Sequence, residues 1–93
     1  MIFFTLPMET HDTEYSLELP AGVRSFTMKG RRGYFVRFAF EPGKVADATD
    51  PYATLDSGQS FTEFQLPGQA GNPITLYAAS PSDGETLEII CTT

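Results

Sequence analysis

Short stretches of strand-forming residues, separated by glycine, proline and aspartate, follow one another along the chain from residue 23 onward. No segment between them has the length or the 3.6-residue hydrophobic period of an amphipathic helix, so the α/β enzyme scaffolds are excluded. This pattern is typical of an all-β domain. The stretches are VRSFTMK, YFVRFAF, YATLD, SFTEFQL, ITLYAA and ETLEIICT, and two more lie at residues 2–6 and 13–19.

The number and length of these stretches predict a small antiparallel β-sandwich or a jelly-roll-like barrel of six to eight short strands. Short turn-forming connections predict three β-hairpins, which pair residues 23–29 with 34–40, 52–56 with 60–66, and 74–79 with 85–92. Residues 34–40 are largely apolar on both faces, which predicts a central strand covered on both sides. Residues 41–51 are predicted to form a surface loop.

A chain of 93 residues is long enough for one hydrophobic core. We expect residues 1–14 to form an N-terminal strand or arm with a polar connection, and residues 15–93 to form a single β-sandwich domain. Pro7 restricts the first strand to an edge or to its end. The apolar start, MIFFTLP, lacks a basic region and is too short for a signal peptide or a membrane span. We therefore expect synthesis in the cytoplasm and no membrane partner.

Residues that could carry chemistry are few. His11 is the only histidine, and a lone histidine supplies one metal ligand at most, so we interpret it as a solvated loop residue. Cys91 cannot form an internal disulfide, and its alternation with Leu87 and Ile89 predicts a small buried side chain. Most carboxylates, including Glu85, are expected at turns or on polar strand faces, where they keep the surface soluble. We expect no enzymatic activity, no cofactor and no metal.

Charge is distributed unevenly. All six basic residues lie between residues 24 and 44, on a chain with a net charge of −6. A positive region on an acidic protein favours docking on an acidic surface or contact between copies. Alternatively, the arginines only keep an exposed turn soluble. The acidic balance argues against a nucleic-acid partner. The basic residues are Arg24, Lys29, Arg31, Arg32, Arg37 and Lys44.

The chain also carries eight Phe and four Tyr. These rings either all pack inside one sandwich or lie partly at an interface, and the sequence leaves both possibilities open. A domain this small, without a disulfide or a metal site, is marginally stable alone, so we expect oligomerisation or docking on a larger assembly.

From residue 19 onward, the order of LPAG, YFVRFAF, YATLDSGQSF, ITLYAAS and TLEII is similar to that of small β-sandwich virion proteins of tailed bacteriophages. The resemblance implies a capsid decoration (cement) protein or a small head or neck protein, located on the capsid surface. It also implies the major capsid protein or other virion proteins as partners. A homo-oligomer is expected, with a trimer favoured because it suits the local threefold axes of a shell. The resemblance implies no catalytic residues.

Two functional hypotheses follow. In the first, the protein cements a capsid through the apolar N-terminal strand and the basic region. Its expected contact residues are Ile2, Phe3, Phe4, Arg24, Lys29, Arg31 and Arg32. In the second, the protein is a carbohydrate-binding module on a tail or a cell surface, with Tyr15, Tyr52 or Tyr77 exposed beside carboxylates as stacking platforms.

Overall fold

A computed structural model describes residues 2–20, 22–56, 58–64 and 74–92. Eight β-strands and no helix are present in these residues, which confirms the all-β prediction. The strands are β1 (Ile2–Met8), β2 (Tyr15–Leu19), β3 (Ser25–Gly30), β4 (Val36–Ala39), β5 (Ala53–Leu55), β6 (Ser60–Phe64), β7 (Ile74–Ala79) and β8 (Glu85–Thr92).

The strands form two antiparallel four-stranded sheets that pack face to face. The front sheet has the order β1-β8-β3-β6, and the back sheet has the order β2-β7-β4-β5. Most steps along the chain therefore cross from one sheet to the other. This connectivity is that of a jelly roll, in which the first and last strands are neighbours and the chain winds around a single core. The predicted sandwich or jelly-roll fold is confirmed.

The three predicted hairpins are wrong. Strands β3 and β4, β5 and β6, and β7 and β8 each lie in different sheets. The turn residues between them reverse the chain direction, as expected, but they do not determine whether the next strand pairs alongside or crosses the core. Crossing lets apolar residues of both sheets meet in one core, as Phe38 of β4 and Phe61 of β6 do. Among the described strands, β4 and β5 are the consecutive pair that form hydrogen bonds with each other.

The core lies between the sheets and is built from alternate residues of each strand. Phe26 and Met28 of β3 are buried, and so are Leu87, Ile89 and Cys91 of β8, as their alternation predicted. Burial raises the pKa of the Cys91 thiol, because the low-dielectric core disfavours a thiolate.

The aromatic side chains are divided between the core and the surface. Phe26 and Phe38 are buried and both contact the half-buried Phe61, with ring-centroid distances of 5.9 and 5.0 Å. Phe3 and Phe40 are exposed instead. The aromatic rings therefore do not all pack inside the sandwich.

All residues of β4 are buried, which confirms the prediction of a central strand covered on both sides. Its outer face is covered by the connection to β5. Val45 of that connection is fully buried against Ala39 and Ala79. The predicted surface loop is therefore partly buried. Its Val45 forms a second small core with Ala39 and Ala79 on the outer face of the back sheet.

Arg37 of β4 attaches this connection to the sheet. Its Nε donates a hydrogen bond to the carbonyl oxygen of Val45 at 2.6 Å, and its Nη2 donates to the carbonyl oxygen of Ala46 at 3.3 Å. Nη2 also forms an ion pair of 2.7 Å with Asp12, in the β1–β2 connection. Arg37 is therefore a structural residue rather than part of an exposed basic region.

Candidate interaction surface

The outer face of the front sheet carries exposed apolar side chains. Phe3 is 70% exposed, and Ile90 is 37% exposed. The strand register places Phe3 beside Ile90, and Ile90 beside Thr27, in one row across the sheet. The next row contains Thr5, Glu88 and Lys29. These two rows line a shallow groove of about 280 Å³, which we call the front groove.

The corresponding face of the back sheet is covered at its centre. Ala39 and Ala79 are buried there by Val45, with the half-buried Tyr52 and Tyr77 packed around them. The protein thus covers the apolar centre of one sheet's outer face with its own chain and leaves apolar residues exposed on the other. Exposed apolar side chains that lie together mark interaction surfaces more often than isolated ones do.

Ion pairs border the front groove. Nε of Arg31 lies 2.9 Å from a carboxylate oxygen of Glu88, and Nζ of Lys29 lies 4.0 Å from the other. Glu88 thereby neutralises part of the predicted positive region. Within the described residues, Arg24 and Arg32 form no ion pair with a carboxylate.

The basic residues are not gathered in one compact cluster. Arg24 precedes β3, whereas Arg31 and Arg32 follow it. A six-residue strand is roughly 20 Å long, so these charges lie at opposite ends of the front sheet. The expected basic region is therefore divided between the two ends of the front sheet.

The turn that carries Arg31 and Arg32 is fixed by hydrogen bonds to a buried carboxylate. Glu85 is fully buried, so its prediction as a solubilising turn residue is wrong. Its carboxylate accepts hydrogen bonds from the backbone N–H groups of Arg32 at 2.9 Å, Tyr34 at 2.8 Å and Thr86 at 2.8 Å. These bonds satisfy the buried charge and fix the turn.

A sequence signal for this role exists. Glu85 has the same period-two spacing as Leu87, Ile89 and Cys91, so it occupies an inward-facing position of β8. The backbone of the turn is also adapted to the carboxylate. A Cβ atom at Gly30 would lie 2.6 Å from Oε2 of Glu85, and Gly33 has a φ of +74°, which favours glycine.

The expected contact residues of the N-terminal strand point in different directions. Strand β1 pairs with β8 along its whole length. Phe3 lies on the outer face, in the front groove. Phe4 faces inward and packs against the core, and Ile2, at the strand end, is 37% exposed.

His11 lies in the connection after β1 and is exposed, as predicted, but it has a partner. Its Nδ1 lies 2.8 Å from Oδ1 of Asp83, and its backbone N–H donates to the same oxygen at 2.6 Å. The hydrogen bond and the charge of Asp83 raise the pKa of His11. The hydrogen bonds from His11 lower the pKa of Asp83. This pair links the β1–β2 and β7–β8 connections at the surface.

The tyrosines of the carbohydrate hypothesis are all half-buried. Tyr15 packs against the main core, whereas Tyr52 and Tyr77 pack against the second small core. A cleft of about 290 Å³ lies beside Tyr52, between the end of β4 and the start of β5. Phe40, Glu41 and Pro51 also line it.

Neither a metal cluster nor a membrane-spanning helix is found in the described part of the chain. No three His, Cys, Asp or Glu side chains there are grouped so that they could hold a metal ion. The same residues include no helix long and apolar enough to cross a bilayer.

Comparison with known proteins identifies the fold. The solution NMR structure of a de novo designed double-stranded β-helix superposes with a TM-score of 0.65, covering 99% of this chain and 100% of the designed one. The fold is a double-stranded β-helix. Sequence identity to the design is 14%, so the likeness concerns the fold alone. No family model matches the chain, and no curated protein matches it.

Proposed function

We propose that the protein is a non-enzymatic virion component of a tailed bacteriophage that decorates or cements the capsid shell. It acts by burying surface between neighbouring shell subunits. The observation that carries the proposal is the contrast between the two outer faces. Val45 and its neighbours cover the apolar centre of the back sheet's outer face, whereas the front sheet exposes Phe3 and Ile90.

The composition of the front groove fits an adhesive role. Protein interfaces combine an apolar centre with a polar rim. Here Phe3 and Ile90 form the centre, and the rim consists of Thr5, Lys29 and Glu88. A patch of this size gives weak binding by itself. Many copies on one shell, each linked to its neighbours through common subunits, give a stable coat through avidity.

Charge supports the same role. The net charge of −6 disfavours non-specific association of copies in solution. Arg24 and Arg32, which have no carboxylate partner among the described residues, are available to acidic groups of a shell subunit. Such contacts orient the protein on the surface more than they increase its affinity.

Co-sedimentation tests the proposal. The purified protein is mixed with undecorated heads of the phage that encodes it, and the heads are pelleted. We expect saturable binding at a fixed ratio of protein to major capsid protein. Heads that already carry the protein serve as the control, because their sites are occupied. A protein that stays in the supernatant at all concentrations contradicts the proposal.

The cleft beside Tyr52 favours one other function. Its walls include Phe40 and Tyr52, with Glu41 as a hydrogen-bonding group, and this combination suits a sugar ring. A glycan array probed with the purified protein tests carbohydrate binding. Retention of a glycan by the wild type, but not by a Phe40→Ala variant, together with no binding to heads, would favour this function over the first.

A further inference from the structure

Strand β1 forms an edge of the front sheet. One hydrogen bond shows which of its backbone N–H and C=O groups point towards the sheet and which point away from it. The N–H of Arg31 donates to the carbonyl oxygen of Thr86 at 2.8 Å, so the backbone N–H and C=O groups of Thr86 point towards β3. Backbone groups alternate in direction along a strand, so Leu87 and Ile89 direct theirs towards β1. Their partners there are Leu6 and Phe4.

Phe3, Thr5 and Pro7 consequently direct their backbone groups away from the sheet. Pro7 agrees with this assignment, because its missing N–H faces the open edge and removes no bond to β8. Phe3 and Thr5 each direct an N–H and a C=O at this edge that have no partner among the described residues. The edge is therefore able to accept another strand.

This edge lacks the usual protection against pairing. Natural edge strands are short or carry charges that disfavour pairing with another chain. Strand β5 has only three residues, and β2 contains Glu18. Strand β1 is seven residues long and has no charged residue. Its one protective device is Pro7, near the end of the strand.

We infer that β1 pairs antiparallel with β1 of a second copy of this chain, about a two-fold axis at Phe4. In this register, Phe3 of each copy forms the hydrogen-bonded pair with Thr5 of the other. Registers that bring Pro7 opposite Phe3 or Thr5 each lose hydrogen bonds, because proline has no N–H to donate. Pro7 thus selects the register as well as limiting the length of the pairing.

The same register brings the apolar side chains of the two β1 strands together. The two Phe3 rings become diagonal neighbours on the outer face, within reach of each other. The two Phe4 side chains meet as a close, non-hydrogen-bonded pair on the inner face. Ile2 of each copy lies opposite Leu6 of the other. The Ile2 and Phe4 side chains are therefore covered, and the two Phe3 rings form one apolar patch on the outer face of the dimer.

Pairing of β1 with β1 of a second copy avoids the charge repulsion between copies, because β1 carries no charged residue. Each copy has a net charge of −6, so most surfaces of two copies repel each other. The uncharged β1 edge brings no charged residue of β1 against its equivalent. Antiparallel pairing of identical strands is isologous, and it produces a two-fold dimer rather than the trimer expected from the sequence resemblance.

Sedimentation velocity at increasing concentration tests the dimer with three proteins. The wild type is expected to change from monomer to dimer. Thr5→Pro removes an outward N–H but none that bonds to β8, so this variant should remain a monomer with an unchanged circular dichroism spectrum. Thr5→Val keeps the N–H and should dimerise as the wild type does. A monomeric wild type at millimolar concentration, or a Thr5→Pro variant that dimerises normally, would overturn the inference.

Amide hydrogen exchange gives a second test that needs no substitution. In the dimer, the N–H groups of Phe3 and Thr5 should be protected at high concentration and exchange rapidly after dilution. The N–H groups of Phe4 and Leu6, which bond to β8, should stay protected at both concentrations. Rapid exchange of Phe3 and Thr5 at all concentrations contradicts the dimer. Neither test uses capsid protein, so a negative result leaves the test of head binding intact.

Discussion

The carboxylate of Glu85 lies directly beneath Gly30, at a distance that leaves no room for a Cβ atom on that glycine. The two residues belong to neighbouring parts of the front sheet, at the turn that carries Arg31 and Arg32. The buried acid and the glycine therefore determine together how the basic turn is presented.

Gly30→Ala is expected to lower the free energy of unfolding by about 1–3 kcal/mol, because the new methyl group displaces the Glu85 carboxylate from its backbone partners. Urea denaturation measures the change. Glu85→Ala should also destabilise the protein, by about 1–3 kcal/mol, since the N–H groups of Arg32 and Tyr34 lose their acceptor.

The double variant separates this mechanism from general damage. Once Glu85 is alanine, the methyl group at position 30 meets no carboxylate. The double variant should then be clearly more stable than the sum of the two single effects implies. Additive effects would show that the contact between these residues is unimportant.

Arg37→Met is expected to lower the free energy of unfolding by about 1–3 kcal/mol. The substitution keeps much of the apolar stem but leaves the carbonyl oxygens of Val45 and Ala46 without their donor. Thermal or urea unfolding measures the loss. Arg32→Met, at an exposed arginine, is the matched control and should change stability by less than about 0.5 kcal/mol. Equal effects of both substitutions would contradict the structural role of Arg37.

The pair of His11 and Asp83 predicts a pH dependence. The pKa of His11 is raised above 6.5, so its contribution to stability is present below that value and is lost as pH rises through the folded-state pKa. The pKa of Asp83 is lowered below 3.8, so its contribution is present above that value and is lost as pH falls through the folded-state pKa. The pair stabilises the connections most between these limits.

NMR titration of the His11 ring tests this pair. In Asp83→Asn the pKa of His11 should fall towards its ordinary value, because the neighbouring charge is absent. Asp47→Asn removes a carboxylate that has no contact with His11 and is the control. An unchanged His11 pKa in Asp83→Asn would show that the pair does not persist in solution.

The sequence predicted the faces of the strands better than their partners. Alternation correctly placed Phe26 and Met28 inward on β3, and Pro7 correctly indicated an edge strand. These features depend on neighbouring residues. Strand pairing depends on contacts between distant residues, and β8 pairs with both β1 and β3, which are far from it in sequence. Turn residues alone therefore suggested hairpins that the fold does not contain.

The candidate surface was predicted in part. Apolar residues at the N-terminus and basic residues near β3 were recognised, and the structure brings Phe3 and Lys29 to the same groove. Ile90 was missed, because the sequence does not show that the outer face of β8 remains uncovered. Glu85 was wrongly predicted to be exposed at a turn, because glutamate is rarely buried unless it is well hydrogen-bonded. Burial of Val45 was also missed, because it stands alone in a polar segment.

Binding of two charge-matched variants to undecorated heads tests the central claim most directly. Ile90→Lys places a charge in the front groove, on β8, and leaves the outward backbone groups of β1 unchanged. Ser16→Lys places the same charge on the exposed surface of the back sheet. If the front groove contacts the shell, Ser16→Lys should co-sediment with heads like the wild type, and Ile90→Lys should lose at least tenfold in affinity, about 1.4 kcal/mol. Equal binding of both variants would contradict this account.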